Sequence, residues 1–477
     1  MATRHLQPSR RPRAAHVVAS SGVVSTVDAD YLVVGAGAAG LAFTDALVDH
    51  DPDVHVALVD RRDGVGGHWR AAYSFVRLHQ ASQFYGVAST VFGGGVQWSG
   101  PEAGLYERAD QPAILDYYER VLATWLPGRV STFFRHSYAD GFVVPIDGGE
   151  PLVVPEHCRI VDARYLAPEV PAECPPRFRV DDGACVVPVN DLPQLAAHAE
   201  YVIVGSGKTA TDAIVWLLGG GVEADAITWV RPRDPWMLNR AVVQPDPAVF
   251  LGMAATVMQR ASEAVSLPGL FLELESAGVM LRLDRSVEPT MAKTPTLATW
   301  ELDLLRSVER VVRLGRILSV EPGRIHLAGG TVDVAADAVI VNCAADGLRN
   351  PARVPIWGGE AITLQPIRAG FPCFGAALTG YVEATRDDDA VKNALCAPSS
   401  YGNSLEEWAV MNVLGSRNVA AFSAEPDIAT WVSTVAINPA RVPPDHPGSP
   451  ALDAALEDLA TFGARGVTRL AELAGLG

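Results

Sequence analysis

Cysteine is scarce in this chain. The six cysteines, Cys158, Cys174, Cys185, Cys343, Cys373 and Cys396, include no C-x-x-C pair and no zinc-ligand spacing. That excludes a disulfide scaffold, a zinc site and a dithiol–disulfide reductase, and reads as a cytoplasmic protein with ordinary thiols. No apolar run reaches the roughly 18–20 residues needed to span a bilayer. The basic residues at 10, 11 and 13 are followed by only a short apolar stretch, broken by His16. A cleaved export signal is therefore not expected, and residues 1–27 read as a mobile tail. Positive charge is in deficit, with 38 Lys and Arg against 55 Asp and Glu and a net charge of −17. Such a field repels phosphate backbones and anionic lipid, so neither nucleic acid nor a membrane surface is an expected partner.

The chain does have ample material for a core. It has 477 residues, of which 49% are hydrophobic and 19% charged. That is ordinary globular composition, enough for about two or three domains. Two segments share one layout. Tyr31-Leu-Val-Val34 leads into Gly35-Ala-Gly37-Ala38-Ala39-Gly40, an apolar helical stretch to His50, and a second β-rich run from Val54 to Val59 that ends at Asp60. Tyr201-Val-Ile-Val204 leads into Gly205-Ser206-Gly207-Lys208-Thr209-Ala210, a helical stretch to Leu218, and Ala226 to Val230, ending at Arg231. Each is the βαβ pattern of a parallel sheet, so the fold class is α/β with two Rossmann-like dinucleotide-binding domains. The proline-rich residues 150–190 read as short antiparallel strands and loops, and 235–310 as mostly helical. Arg316 to Leu327 reads as a hairpin around Glu321-Pro-Gly323. Residues 405–413 and 452–473 read as helices.

The glycines of the first turn do separate work. Gly35 permits the tight turn, Gly37 lets backbone approach a pyrophosphate, and Gly40 lets helix and strand pack closely. The pyrophosphate then rests on N–H groups around Ala38 and Ala39, where the helix dipole is positive. Asp60 lies 20 residues past Gly40, where a carboxylate can take the ribose hydroxyls, with Arg61 beside it. In the second turn, alanine replaces the third glycine. Arg231 stands where the first unit has Asp60, and Arg233 follows. Guanidinium groups there would pair with a 2′-phosphate that an acid would repel, which favours NADPH over NADH. Gly207-Lys208-Thr209 is no P-loop, because the glycine required at position 202 is valine. Lys208 reads as a pyrophosphate contact or as a solvent-facing cation.

Past Asp60 comes Gly64-Val-Gly66-Gly67-His68-Trp69. This resembles the G-G-x-W segment of the two-dinucleotide flavoproteins, among them the flavin-containing and Baeyer–Villiger monooxygenases, and the resemblance implies FAD at the first turn. Trp69 reads equally as a cofactor contact and as a core aromatic. The order of the two turns is similar to that of the flavin-containing and N-hydroxylating monooxygenases over about residues 28–400. It implies a discontinuous FAD domain, 28–190 and 316–477, with an NADPH domain at 191–315 that carries a helical insertion. The run Asp337-Ala-Val-Ile-Val341 matches a strand of those families, but Asn342-Cys343-Ala344 stands where they have A-T-G, and no F-x-G-x-x-x-H-x-x-x-W fingerprint precedes the second turn.

The implied reaction is hydride transfer from NADPH to FAD, formation of a C4a-(hydro)peroxyflavin with dioxygen, and oxygenation of a small molecule at nitrogen, sulfur or a carbonyl carbon. In the related enzymes, the segment after G-G-x-W reaches the isoalloxazine with a polar side chain, and His79, Gln80 and Ser82 form the polar cluster there. They read otherwise as a hydrogen-bonded buried segment. Phe371 to Tyr381 reads as a buried strand and turn, or else as a segment along the flavin or the substrate pocket. A flavin-dependent reductase without oxygen transfer and a non-catalytic nucleotide sensor stay open, as does a homo-oligomer. No metal site is expected.

Overall fold

The computed structural model describes residues 25–476 other than 126, 127, 346, 369 and 400. Most of the expected N-terminal tail lies outside these residues. Its last part does not behave as a tail: Thr26 bridges to Val153, the Val27 amide donates to the Val153 carbonyl at 2.9 Å, and Val27 is buried.

Two five-stranded sheets organise the described residues, and every strand pairing within them is parallel. In the first, Tyr31–Val34 lies between Val56–Asp60 and Arg159–Asp162. Val130–Phe134 and Ile362–Thr363 form its edges. In the second, Tyr201–Val204 lies between Ile227–Val230 and Val339–Asn342, with Val311–Val312 and Cys185–Pro188 at the edges. Their central strands read as unbroken β-branched and apolar runs because both faces are covered, which is the usual state of parallel sheets. In each sheet the first strand of the βαβ unit, Tyr31–Val34 or Tyr201–Val204, has neighbours on both sides, and so its carboxyl end is a topological switch point. Helices Ala38–His50 and Lys208–Gly219 leave from those two points. Gly40 allows the close packing expected of it, since a Cβ there would lie 2.0 Å from the Gly35 carbonyl oxygen.

The structure revises four expectations. Arg159–Asp162 and Cys185–Pro188 are parallel members of the two sheets rather than antiparallel strands. Their partners lie over a hundred residues away in sequence, and local composition carries no record of them. The 235–310 region contains helices Pro247–Glu263, Leu267–Ser276 and Thr299–Arg306, but also a small sheet of Trp236–Asn239, Met280–Arg282 and Thr296–Leu297. Val339–Asn342 joins the second sheet, and the hairpin Ile317–Glu321/Arg324–Leu327 packs its buried residues against that sheet's Val202, Val204 and Val230. The chain therefore re-enters the first sheet at Ile362–Thr363, not at 316. Finally, Phe371 to Tyr381 is not a strand. Pro372 opens the helix Pro372–Thr385, where its fixed φ suits the first turn. That helix is buried on nearly every side, so it shows no amphipathic period to read.

Candidate functional site

Both glycine turns open onto one cavity of about 2170 Å³. That exceeds twice the upper end of the roughly 300–1,000 Å³ typical of a single small-molecule site.

At the first turn, Gly37 is extended, with φ −90° and ψ −173°, and no side chain caps the helix behind it. The first helical N–H groups are orphaned by geometry and carry the positive end of the helix dipole. Gly35, Gly37, Ala38 and Ala39 line the cavity. Asp60, at the end of its strand, accepts the Ala36 amide on Oδ2 and the Arg62 amide on Oδ1, each at 2.8 Å. These bonds fix the carboxylate at the cavity wall beside Arg61 and leave each oxygen a free lone pair. The Gly66 amide donates to the Ala36 carbonyl at 2.9 Å, which brings the following loop over the turn. Gly67, at φ +56°, then touches Gly37, and a Cβ on Gly67 would lie 2.8 Å from the Gly37 Cα. Gly67, His68 and Trp69 line the cavity, whereas Gly40 and Gly66 act behind it. Burial, with the Arg62 guanidinium nearby, pushes the His68 imidazole down to about 4. Trp69 is both wall and core: it is buried, and its Nε1 donates to the Tyr85 hydroxyl.

At the second turn, Gly205, Ser206, Gly207, Lys208 and Thr209 line the same cavity. Lys208 does not face solvent. Its ammonium is ion-paired with Asp212 one helical turn on, and the Tyr73 hydroxyl donates to Asp212 Oδ2 at 2.7 Å. Burial lowers the Lys208 pKa against the pull of Asp212.

Arg231 corrects an expectation. It is buried, stacks on the Trp229 ring at 4.3 Å and is ion-paired with Asp234 at 3.1 Å, and it is not part of the cavity wall. Asp234 also holds Arg313 at 3.0 Å. The chain folds back just after the strand, so the arginine aligned with Asp60 is spent on its own turn. Arg233 is exposed and lines the cavity, as does Arg316, which no sequence signal singled out. Neither has an ion-pair partner among the described residues.

His79 and Gln80 line the cavity but Ser82 does not. The Ser82 hydroxyl accepts the Ala109 amide at 2.8 Å in a buried position, so it ties the loop to its neighbour. The His79 segment is held from behind by four buried charges. Arg240 donates to Glu102 at 2.6 Å, to Glu301 at 2.7 Å and to the His79 carbonyl at 3.1 Å. Arg108 pairs with Glu102 and donates to the Leu78 carbonyl at 2.9 Å. Glu102 and Arg108 belong to the segment between the first βαβ unit and helix Gln111–Trp125; Arg240 and Glu301 belong to the 235–310 region. This network was not visible in sequence because its members lie up to 199 residues apart. Burial first, then the charges of Lys208, Arg240 and Arg108, push the His79 imidazole well below its ordinary value, so it is neutral near pH 7.

The charges of the wall oppose those of the chain. Eleven lysines and arginines line the cavity against two carboxylates, Asp60 and Glu169, in a protein of net charge −17. A cleft of one sign concentrates ligands of the other. Among the described residues, no group of three or more histidines, cysteines or acids could hold a metal ion, and no helix is long and apolar enough to cross a membrane.

Residues 33–93 match the family described as NAD(P)-binding Rossmann-like domain. The uncharacterized protein Rv2000 of Mycobacterium tuberculosis is 38% identical over 426 residues, which cover 88% of this chain and 79% of that one. The chain belongs to the same family as this mycobacterial protein. The uncharacterized protein Mb2023 of Mycobacterium bovis, another member, matches to the same extent. Among solved structures, the polycyclic ketone monooxygenase of the thermophilic fungus Thermothelomyces thermophila superimposes over 94% of this chain and 90% of its own, with a TM-score of 0.51 and 11% identity. The chain thus shares a mixed α/β architecture with that structure at very low sequence identity.

Proposed function

We propose that this chain is an FAD- and NADPH-dependent monooxygenase that oxygenates a small molecule with dioxygen. The observation that carries the reading is the pair of glycine turns, both at switch points and both facing one cationic cavity. The first stands beside a fixed carboxylate. The second stands beside guanidinium groups that have no acid among the described residues. The residues fit the two cofactors. The Gly37–Gly67 approach leaves a cradle that a single Cβ would fill, as a pyrophosphate against bare backbone requires.

FAD belongs at the first turn and NADPH at the second. When bound, FAD supplies acceptance of hydride from NADPH and activation of dioxygen. The amides of Ala38 and Ala39 hold the FAD pyrophosphate, and Asp60 takes the adenosine ribose. Arg233 and Arg316 take the 2′-phosphate of NADPH, the role first expected of Arg231. Lys208, already neutralised by Asp212, orients the second turn rather than adding net charge. The neutral His79 offers a hydrogen-bond donor at one ring nitrogen and an acceptor at the other, without bringing a proton into the site at pH 7. The apolar side chains Phe250, Leu251, Phe371 and Met411 line the remaining wall and exclude water. All six thiols are free, which fits a cytoplasmic setting.

The test is NADPH oxidation with oxygen uptake, with peroxide quantified, across a panel of amines, thioethers and ketones. Oxygenated product and a fall in released peroxide are expected with the right class. Protein that stays colourless and takes up no FAD on reconstitution refutes the reading. Stoichiometric peroxide with every class leaves a reductase or oxidase instead.

A further inference from the structure

One part of the cavity wall is an apolar cluster, and three arginines of the C-terminal third, Arg349, Arg368 and Arg417, line the same cavity. Phe250 of helix Pro247–Glu263 and Phe371, just before helix Pro372–Thr385, pack edge-on at 5.7 Å, and both reach Phe84, at 5.9 and 5.4 Å. Leu251, Met253, Met411 and Val419 extend the same surface. Arg368, three residues before Phe371, lines the same cavity. Its guanidinium has one hydrogen bond among the described residues, a long one of 3.4 Å to Asn438 Oδ1, and lies 6.0 Å over the Phe374 ring. No carboxylate among the described residues pairs with it. Its partial burial pushes it down to about 10, whereas the fully buried arginines Arg108, Arg231 and Arg240 have Glu102, Asp234 and Glu301 at hand.

A guanidinium partly withdrawn from water, beside aromatic rings and without an acid, gains from an anion that completes it. The glycine turns are the expected seats of the cofactor phosphates. The glycine turns that would take them carry their own N–H groups and cations, and no hydrogen bond of Arg368 goes to either turn. Asn438 and Phe374, its neighbours, belong to the C-terminal third. A guanidinium matches a carboxylate through two parallel N–H···O bonds, a geometry that an alcohol or an amine cannot use.

We propose that the substrate of this site is an amphipathic carboxylic acid, with an apolar body packed against Phe250, Phe371 and Met411 and its carboxylate on Arg368. The proposal rests on the monooxygenase reading only for the word substrate; the binding itself is read directly. The purified full-length protein, with its flavin content recorded, is titrated calorimetrically with octanoate, octan-1-ol and octylamine. Octanoate binds tighter than the other two by roughly tenfold or more, the range for one charge-assisted pair in a dry site. Arg368→Gln removes that margin and leaves octanol affinity and flavin content unchanged, while Arg368→Lys keeps part of it. Equal affinity for octanoate and octanol in the unmodified protein overturns the proposal. So does a margin that survives in Arg368→Gln, or octanoate that displaces the flavin and so reveals a cofactor site. A preparation with neither flavin nor NADPH turnover counts against the monooxygenase reading, whereas octanoate selectivity alone decides this one.

Discussion

Replacing Arg240 with methionine tests how the two nucleotide-binding units are held together. The side chain is 1% exposed and makes charge-assisted bonds of 2.6 and 2.7 Å to Glu102 and Glu301. Methionine has a similar length and no charge. Glu102 keeps Arg108 as a partner, but Glu301 is left with an Arg108 contact at 3.5 Å and the Ala298 amide at 2.8 Å. Removing one member of a buried pair leaves a charge uncompensated, at about 3–5 kcal/mol. At roughly 2–4 °C per kcal/mol for domains of this size, the melting temperature falls by ~6–20 °C. The His79 carbonyl also loses a donor, so flavin retention weakens along with stability. Thermal unfolding followed by circular dichroism, and the flavin-to-protein absorbance ratio, are the readouts. Pairing Arg240→Met with Glu301→Gln in one chain restores part of the loss, because the charge left behind is then removed. A melting temperature within about 1 °C of the parent would mean that the four charges are not coupled, and the account of how the His79 segment is held would fail.

The same network has a pH signature. Burial would raise the Glu102 carboxyl, but Arg108 and Arg240 outweigh it and bring it to about 2. A folded pKa below the unfolded value near 4.3 stabilises the fold above that value, and the contribution is lost as pH falls from roughly 4 toward 2. Urea midpoints measured across that window decline, and decline less in Arg240→Met. Gly67→Ala places a Cβ 2.8 Å from the Gly37 Cα at a positive φ, so the loop lifts off the turn. The purified variant then retains less than about a tenth of the flavin, the equivalent of ~1.4 kcal/mol or more in affinity. Arg233→Ala and Arg316→Ala each raise KM for NADPH by roughly tenfold or more with NADH unaffected, the value of one charged hydrogen bond. Arg231→Ala instead lowers thermal stability, because Asp234 loses a buried partner, and leaves the NADPH-to-NADH preference intact. The His79 imidazole titrates well below the ordinary histidine value near 6.5, and a ring-carbon titration midpoint at or above that value refutes the placement among Lys208, Arg240 and Arg108.

The sequence by itself determined the two βαβ units and what stands at their turns. The glycine spacing, the flanking β-branched runs and Asp60 are local, and local order within some thirty residues is what a βαβ unit requires. The helices near the C-terminus were legible from their local apolar periodicity, and the structure adds a capping box of Ser404 with Glu407 at the start of Leu405–Ser423. Helix Pro372–Thr385 was not, because a helix buried all round has no polar stripe to betray its period. Tertiary structure decided everything that depends on partners far apart in sequence. It placed Arg159–Asp162 and Cys185–Pro188 in parallel sheets, took Arg231 into a pair with Asp234, exchanged it for Arg316 at the cavity, and brought no acid among the described residues to Arg368. Whether a guanidinium faces a ligand or a neighbour is set by which carboxylate the fold brings within about 4 Å, and no one-dimensional spacing encodes that distance.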